Sequence, residues 1–433
     1  MVSRLAASTI LGPDGQPMQR RALLTEQAAP SLESVRNIAT SHPADGLTPQ
    51  RLVRILREAE TGDATAYLDL AEQMEEKNLH YLGVLGHRKR GVSQLEMVVE
   101  PASNSADDKE AAALAQQFVR RREMQGELFD ILDAIGKGYS VTEILWDTSE
   151  GQWMPRRLVA RDQRWFQYSL EDGRTLQLWT DDGLVPLPAC QFIVHEARAK
   201  SGLPIRGGLA RAAAWAHLFK TATLRDWLEL ADGFGRPYPI GKYGPGATDT
   251  DRAVLRQAIR NIGIDGGAVI PDSMALELIE AKAAGGSGLY LDLLNYLDQQ
   301  VSKAVLGNTG TSDAIAGGHA VGRVHREVEQ DIQLSDAVQL EITLNRDVIQ
   351  PFIAFNMGPR KAYPWVRLPV AQEQNVFQLA QALAPLVDRG LVISQTAARA
   401  LLGIEEPLPG EPVLRPALTG ANSPTGAIAP SDA

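Results

Sequence analysis

Seven histidines, a single cysteine and adjacent carboxylates such as Asp107-Asp108 and Asp181-Asp182 are the residues from which this chain could assemble a reactive site. The histidines are His42, His80, His87, His195, His217, His319 and His325. None belongs to a His-Glu-x-x-His motif, and one cysteine cannot join them in a zinc-ligand set. His319 and His325 lie six apart, a poor match to one helical face, which points to a polar loop or helix surface and not to a metal pair. Gly136-Lys137-Gly138 and Gly241-Lys242 carry the residue types of a phosphate loop, but neither completes G-x-x-x-x-G-K-[ST]. They read as turn glycines beside an exposed lysine. No G-x-S-x-G elbow presents a hydrolase nucleophile. Asp107-Asp108 and Asp181-Asp182 have the chemistry to hold magnesium, yet polar turns explain them more simply. Trp215, Phe219, Trp227 and Phe234 could stack on bases, but their helical spacing assigns them to a core or subunit contact. The basic run His87, Arg88, Lys89, Arg90 could touch DNA or an acidic partner and reads as a solvated face. No catalytic, metal or cofactor site emerges.

The balance of the chain agrees with a globular protein. Its 433 residues exceed one ordinary core, so two or three regions are expected. Hydrophobic residues make up 44% and charged ones 22%. No apolar run is long enough to span a bilayer, so no membrane partner is expected. The opening MVSRLAASTILGPDGQP lacks a long apolar stretch and reads as a loose arm, not a signal peptide. The lone Cys190 excludes an intrachain disulfide framework and fits a reducing compartment. The net charge of -10, without a long Lys/Arg block, argues against a protein that grips nucleic acid.

Periodicity places these residues on elements. Residues 1–46 are polar and turn-rich. Thr48-Pro49 opens a helix with Leu52, Ile55 and Ala59 inward, and a second carries Tyr67, Leu70 and Met74. A third covers 79–90, a strand 95–99, a helix Leu114 and Phe118, and another helix Leu128 through Ile135. Short strands VTEILW, RWFQYSL, TLQLW and QFIVHE follow between 139 and 195, making this region mixed α+β. A long helix over 209–234 shows an apolar stripe through Leu209, Ala212, Ala216, Phe219, Thr223, Trp227, Leu230 and Phe234. Next comes a compact insert: a strand at 238–242, a helix capped by Thr248 with Asp251 three residues on, and strands at 268–270 and 275–279. A second long helix carries Tyr290, Leu294, Leu297, Val301 and Val305. The Gly-rich GNTGTSDAIAGGHAVG leads into a very long helix over 320–355, with Val321, Val324, Val328, Ile332, Val338, Ile342, Ile349 and Phe352 as its seam and a kink at Pro351. Two short helices are expected within 371–403, and the Pro/Gly/Ser/Ala-rich tail from Pro407 reads as disordered. Two long helices around a small α/β insert suggest a stalk carrying a knob.

This order of elements resembles the portal proteins of Mu-like phages and prophages. Local stretches resemble that group as well: ILDAIGKGYSVTEILWD (131–147), FGRPYPIGKYG (234–244), VSKAVLGNTGTS (301–312) and VHREVEQDIQLSDAVQLEITLNRDVIQPFIAFN (324–356). The resemblance spans roughly residues 45–400, with Asn308 standing where glutamine is commoner in the group. It implies an α+β portal fold divided as follows. A flexible N-terminal arm (1–46) precedes a mixed wing region (47–208). Stem helices at 209–235 and 285–306 flank a clip at 236–284. A tunnel loop (307–319) leads to a long wing helix (320–357), a helical C-terminal crown region (358–404) and a disordered tail (405–433).

The implied function is mechanical. Copies would close into a ring, dodecameric in the virion, at one capsid vertex, assembled in the bacterial host cytoplasm. Double-stranded DNA would pass through the channel during packaging and ejection. The clip would dock the terminase large subunit and later the head-tail adaptor, with major capsid and scaffold proteins as further partners. Tunnel-loop residues expected to face DNA are Gly307, Asn308, Thr309, Gly310, Thr311, Ser312, Gly317, Gly318 and His319. Trp215, Phe219, Trp227, Leu230, Leu294, Leu297 and Val301 are the stem and subunit-packing residues. Tyr238, Lys242, Tyr243, Arg252, Arg256 and Arg260 are the docking residues of the clip. A conduit should avoid neutralising phosphates, because each such contact adds affinity and resists movement. Two other classes stay open on the residues alone: a metal-dependent phage DNA-processing enzyme, and a head adaptor or scaffold without a channel.

Overall fold

The computed structural model describes residues 9–30, 36, 46–234, 238–265, 274–279, 286–309, 319–370, 385, 389–390 and 394–402. It divides into two units, Met1–Val370 and Ala371–Ala433. In the second unit the described helix is Gln395–Leu402; the other helix expected within 371–403 and the tail lie outside the described residues.

The first unit opens with a hairpin, Thr9–Leu11 against Pro17–Gln19, and three helices, Pro49–Glu60, Thr65–Lys77 and Leu79–Ser93. Thr48 starts the first helix by accepting from the Arg51 N–H at 3.2 Å, and Pro49 fills a position whose own N–H would have no partner. Asn78 caps the third in the same way through the Tyr81 N–H at 3.2 Å. The following strand is Val98–Glu100, displaced from the expected 95–99, and it pairs antiparallel with Trp365–Arg367.

The expected helix through residues 128–135 divides into Met124–Ile131 and Ala134–Lys137. Gly138 ends it with φ +105°, where a Cβ would stand 2.7 Å from the Pro204 carbonyl oxygen, so a side chain has neither the backbone angle nor the space. Strand Tyr139–Asp147 then runs through the body, buried on both faces for most of its length. It pairs antiparallel with Met154–Arg161 on one side and Phe192–Glu196 on the other. Met154–Arg161 is not among the expected strands, because Pro155, Arg156 and Arg157 break its alternation; a bulge opposite Leu145 and Trp146 accommodates them. A three-stranded meander of Phe166–Tyr168, Leu176–Thr180 and Gly183–Pro186 completes the mixed region.

Two long helices, Ala210–Phe234 and Gly286–Leu306, bracket the insert. Within it, Tyr238–Tyr243 pairs antiparallel with Met274–Ile279, and helix Asp249–Asp265 lies on the first strand, where Gly241 leaves room for Leu255. The expected capping box is present: Thr248 N–H donates to Asp251 Oδ2 at 2.9 Å and Asp251 N–H donates to Thr248 Oγ1 at 3.3 Å. Leu255 and Ala258 are buried, whereas Val254 is exposed. The strand expected at 268–270 lies outside the described residues.

The last long helix runs His319–Leu344, passes through a π-helical turn at Asn345–Ile349, and resumes as Gln350–Met357. Pro351, which lacks the N–H for a regular ladder, stands just after the irregular turn. The expected seam is corrected at Val328, Val338 and Ile342, which are exposed, while Ala337, Leu340 and Leu344 are buried. The buried face also carries Asp336 and Glu341, whose carboxylates take Arg88 and the Leu368 N–H, so hydrophobicity alone selects the wrong side. The far end locks into the body through Phe355 against Trp146 and Trp153, with ring centroids 5.0 and 5.4 Å apart. Asn356 exchanges two 2.9 Å hydrogen bonds with the Trp153 backbone.

Candidate functional site

The two long helices pack antiparallel. Trp227 stacks on Tyr290 with centroids 6.4 Å apart and rings 3° from parallel, and Lys220 Nζ pairs with both Asp298 oxygens at 2.6 and 2.8 Å. The first helix changes its buried face along its length. Ala210, Ala213, Ala214, His217 and Leu218 are covered in its first half; Lys220, Thr223 and Trp227 turn toward the second helix thereafter. The single expected stripe is therefore corrected: Ala212 and Phe219 are exposed, and Trp215, Ala216 and Leu230 are half-buried. On the second helix Leu294, Leu297, Val301 and Val305 are buried as expected, which makes Leu294, Leu297 and Val301 contacts within one copy. Burial depresses the proton affinity of His217, with the Lys220 and Lys77 charges adding to it, so this histidine is a neutral packing residue.

The base of the second helix is pinned at a polar junction. Arg88, 13% exposed, donates from Nε and Nη2 to the two oxygens of Asp336 at 2.7 and 2.9 Å, and from Nη1 to the Val305 carbonyl at 2.7 Å. His80 is hydrogen-bonded to Ser302 at 2.7 Å, His87 to Glu329 at 2.5 Å, and Gln333 donates to the Gly91 carbonyl at 2.5 Å. Lys89 is buried against Asp133. The solvated-face reading of the run at 87–90 is thus overturned: Arg88 and Lys89 tie a body helix to the end of the second long helix, to the last long helix and to Asp133. Immediately beyond, Gly307 has φ +73°, and a Cβ there would lie 2.7 Å from Val328 and 2.9 Å from Ile332.

Of the expected tunnel-loop residues, Gly307, Asn308 and Thr309 are described, and Gly310, Thr311, Ser312, Gly317 and Gly318 lie outside the described residues. Asn308 is 6% exposed, with its amide donating to the Leu306 carbonyl at 3.3 Å. His319 is corrected from loop to the first residue of a helix. In the insert, Arg252 lies 5.1 Å over the Tyr243 ring, and Arg256 and Arg260 are exposed one and two turns further along the same helix. Lys242 is exposed; the Tyr238 side chain falls outside the described set.

Elsewhere the ionisable groups form structural networks. Burial favours the neutral form of Asp133, but Lys137 and Lys89 outweigh it and hold the carboxyl far below the usual range. Lys137 pairs with Asp133 at 2.8 Å, which corrects its expected exposure. Nearby Glu75 is shifted upward by burial and then by the Asp133 charge. Asp107 and Asp108 occupy the first turn of helix Ala106–Val119 and face Arg360, where turns were expected. Among the described residues no three of His, Cys, Asp or Glu are grouped to hold a metal ion, and no helix is long and apolar enough to cross a membrane.

Comparison with known proteins matches this arrangement. The family model for the portal protein of Mu bacteriophage matches residues 68–404. The Mu-like prophage FluMu protein gp29 of Haemophilus influenzae is 32% identical over 418 residues, covering 94% of this chain and 80% of that protein. The portal protein of Escherichia phage Mu is 32% identical over 412 residues, covering 93% and 80%. Two chains from necks of gene transfer agent particles, one computed with C6 and one with C12 symmetry, share the fold at 12% identity and a TM-score of 0.50 each. They are covered to 98% and 95%, and cover 84% and 83% of this chain. The chain belongs to the Mu portal protein family. It is a phage portal protein, a ring-forming subunit of the capsid vertex.

Proposed function

We propose that the ring is a passive conduit for double-stranded DNA, with Ala210–Phe234 and Gly286–Leu306 as its stem, the insert as its clip and the α+β body as its wing. The observation that carries this reading is the antiparallel helix pair, which brackets the insert at one end and is fastened to the body through Arg88 at the other. Such a pair transmits position and carries no chemistry of its own. The net charge of -10 supports passage without gripping, because a lumen that neutralised many phosphates would hold DNA in place. Residues 307–318 serve as the tunnel loop, rooted at Gly307, and the dodecameric ring sits in the virion after assembly in the host cytoplasm. The insert docks the terminase motor and then the head-tail adaptor through Arg252, Arg256 and Arg260, whose side chains suit carboxylate-bearing partners. The motor hydrolyses ATP; the portal does not. Negative-stain imaging of the purified protein and of heads carrying it tests the reading. Rings with a stain-filled centre are expected. Solid monomers, or magnesium-dependent DNA cleavage abolished by one point substitution, would overturn it.

A further inference from the structure

Each long helix leaves an apolar ridge uncovered, apart from the separately exposed Phe219 on the first and Leu291 on the second. On the first, Leu224 and Leu228 are one turn apart, with Leu228 70% exposed. On the second, Leu289, Leu293 and Tyr296 follow at steps of four and three, with Leu289 71% exposed. A helix advances about 100° per residue, which locates these ridges relative to the contact between the two helices. Leu224 and Leu228 sit about a quarter-turn from the face formed by Lys220, Thr223 and Trp227. Leu289, Leu293 and Tyr296 sit a little over a quarter-turn from the face formed by Tyr290, Leu294 and Leu297, and in the opposite sense along the chain. Because the helices run antiparallel, both offsets have the same sense when viewed down the pair. The two contact faces point at each other, so the ridges emerge on opposite sides. Trp227 is level with Tyr290 and Lys220 with Asp298, which puts Leu228 at the height of Leu289 and Leu224 at the height of Leu293.

We infer that these ridges are the two halves of one repeating contact: Leu224 and Leu228 of one copy lie against Leu289, Leu293 and Tyr296 of the next. The inference rests on the reading of the chain as a ring subunit and adds which surfaces join. A closed ring requires two different, complementary patches on each copy, related by a rotation that keeps heights equal. Opposite-sided apolar rows at matched heights meet that requirement. A few side chains on either side fall well short of the roughly 800 Å² per partner of a stable independent complex. The occupant is therefore a partner that continues alongside the rest of the subunit, as a second copy does, and not a small protein seated on the stem alone.

The single native cysteine makes the test clean. In a Cys190→Ser background, Leu224→Cys and Leu293→Cys are introduced together and separately, and rings confirmed by imaging are oxidised. The double variant is expected to give a covalent ladder on denaturing gels, extending to the full ring number, and each single variant no cross-link, since a disulfide needs Cα atoms within about 7 Å. Rings of the double variant without a ladder, dimers from a single variant, or a bond closing within one chain would overturn the inference while leaving the portal reading intact. Wild-type protein that forms no ring in purified samples or in heads would overturn the portal reading itself. As a second readout, Leu228→Glu is expected to shift rings to single subunits with an unchanged circular dichroism spectrum; intact rings would again refute the contact.

Discussion

Replacing Arg88 by methionine tests how the second long helix is held to the body. The guanidinium makes three donations at 2.7, 2.9 and 2.7 Å, two to Asp336 and one to Val305, and methionine preserves most of its apolar stem while removing all three. Asp336 is only 5% exposed and would be left charged without a partner. Breaking one side of a buried ion pair costs about 3–5 kcal/mol, because the remaining charge keeps its desolvation penalty. The orphaned Val305 carbonyl falls within that range, since water can approach it once the side chain is shortened. Arg88→Met should therefore lower the unfolding free energy by about 4 kcal/mol, measured by urea denaturation followed by tryptophan fluorescence. Asp336→Leu in the same chain removes the stranded carboxylate, so the double variant should recover most of the loss, with a coupling energy of at least about 2 kcal/mol. A single-variant cost below about 1 kcal/mol, or additive losses in the double variant, would refute the assignment of Arg88 as the pin.

Other predictions follow from the same geometry. His195 is buried against Thr343 at 3.0 Å, and burial, with the Arg346 charge, pulls its pKa from 6.5 to about 4. The unfolded chain takes up the proton first, so stability should fall by about 3 kcal/mol as pH drops from 6.5 to 4, and His195→Asn should flatten that slope in denaturation series. Gly307→Ala should destabilise by at least about 1–2 kcal/mol, since it adds a left-handed alanine to a 2.7 Å approach to Val328; an unchanged melting temperature would sink the idea. Burial pushes the Cys190 thiol from 9.0 up to about 12, so at pH 8 the native protein should react with iodoacetamide far more slowly than the urea-unfolded chain; equal rates would contradict it.

Caps and breaks were legible because they depend on neighbours in the chain. Thr48-Pro49, Thr248 with Asp251, and the buried row Leu294, Leu297, Val301 needed nothing beyond spacing and side-chain type. Faces set by distant partners were not. The first long helix bears two buried sides in succession, one toward the body and one toward the second helix, so a single stripe drawn along it falls on exposed Ala212 and Phe219. The last long helix hides Asp336 and Glu341 because Arg88 and Leu368 come from elsewhere to meet them. The run at 87–90 was opaque for the same reason: nothing near it in sequence announces that Val305 and Asp336 will take Arg88, or that Asp133 will take Lys89.

The distribution of satisfied and unsatisfied groups separates the two mechanical roles of the subunit. In the body, charged residues find partners within the chain: Arg161 with Glu143 at 2.9 Å, Arg121 with Glu127 at 2.5 Å, Lys137 with Asp133 at 2.8 Å. A buried pair loses several kcal/mol when one partner goes, so this region resists deformation without help from a neighbour. The long helices are different. Leu224, Leu228, Leu289, Leu293 and Tyr296 stay in water in one copy, each forgoing about 1–2 kcal/mol available on burial. Adjacent copies recover that energy only by standing side by side, and nothing in such a contact depends on the body rearranging. On that inference the long helices supply one part of the ring's cohesion, beside contacts along the rest of the subunit. Polar substitutions on the ridges should accordingly weaken the ring and leave subunit stability alone, whereas Arg88 and Asp336 variants should lower subunit stability first.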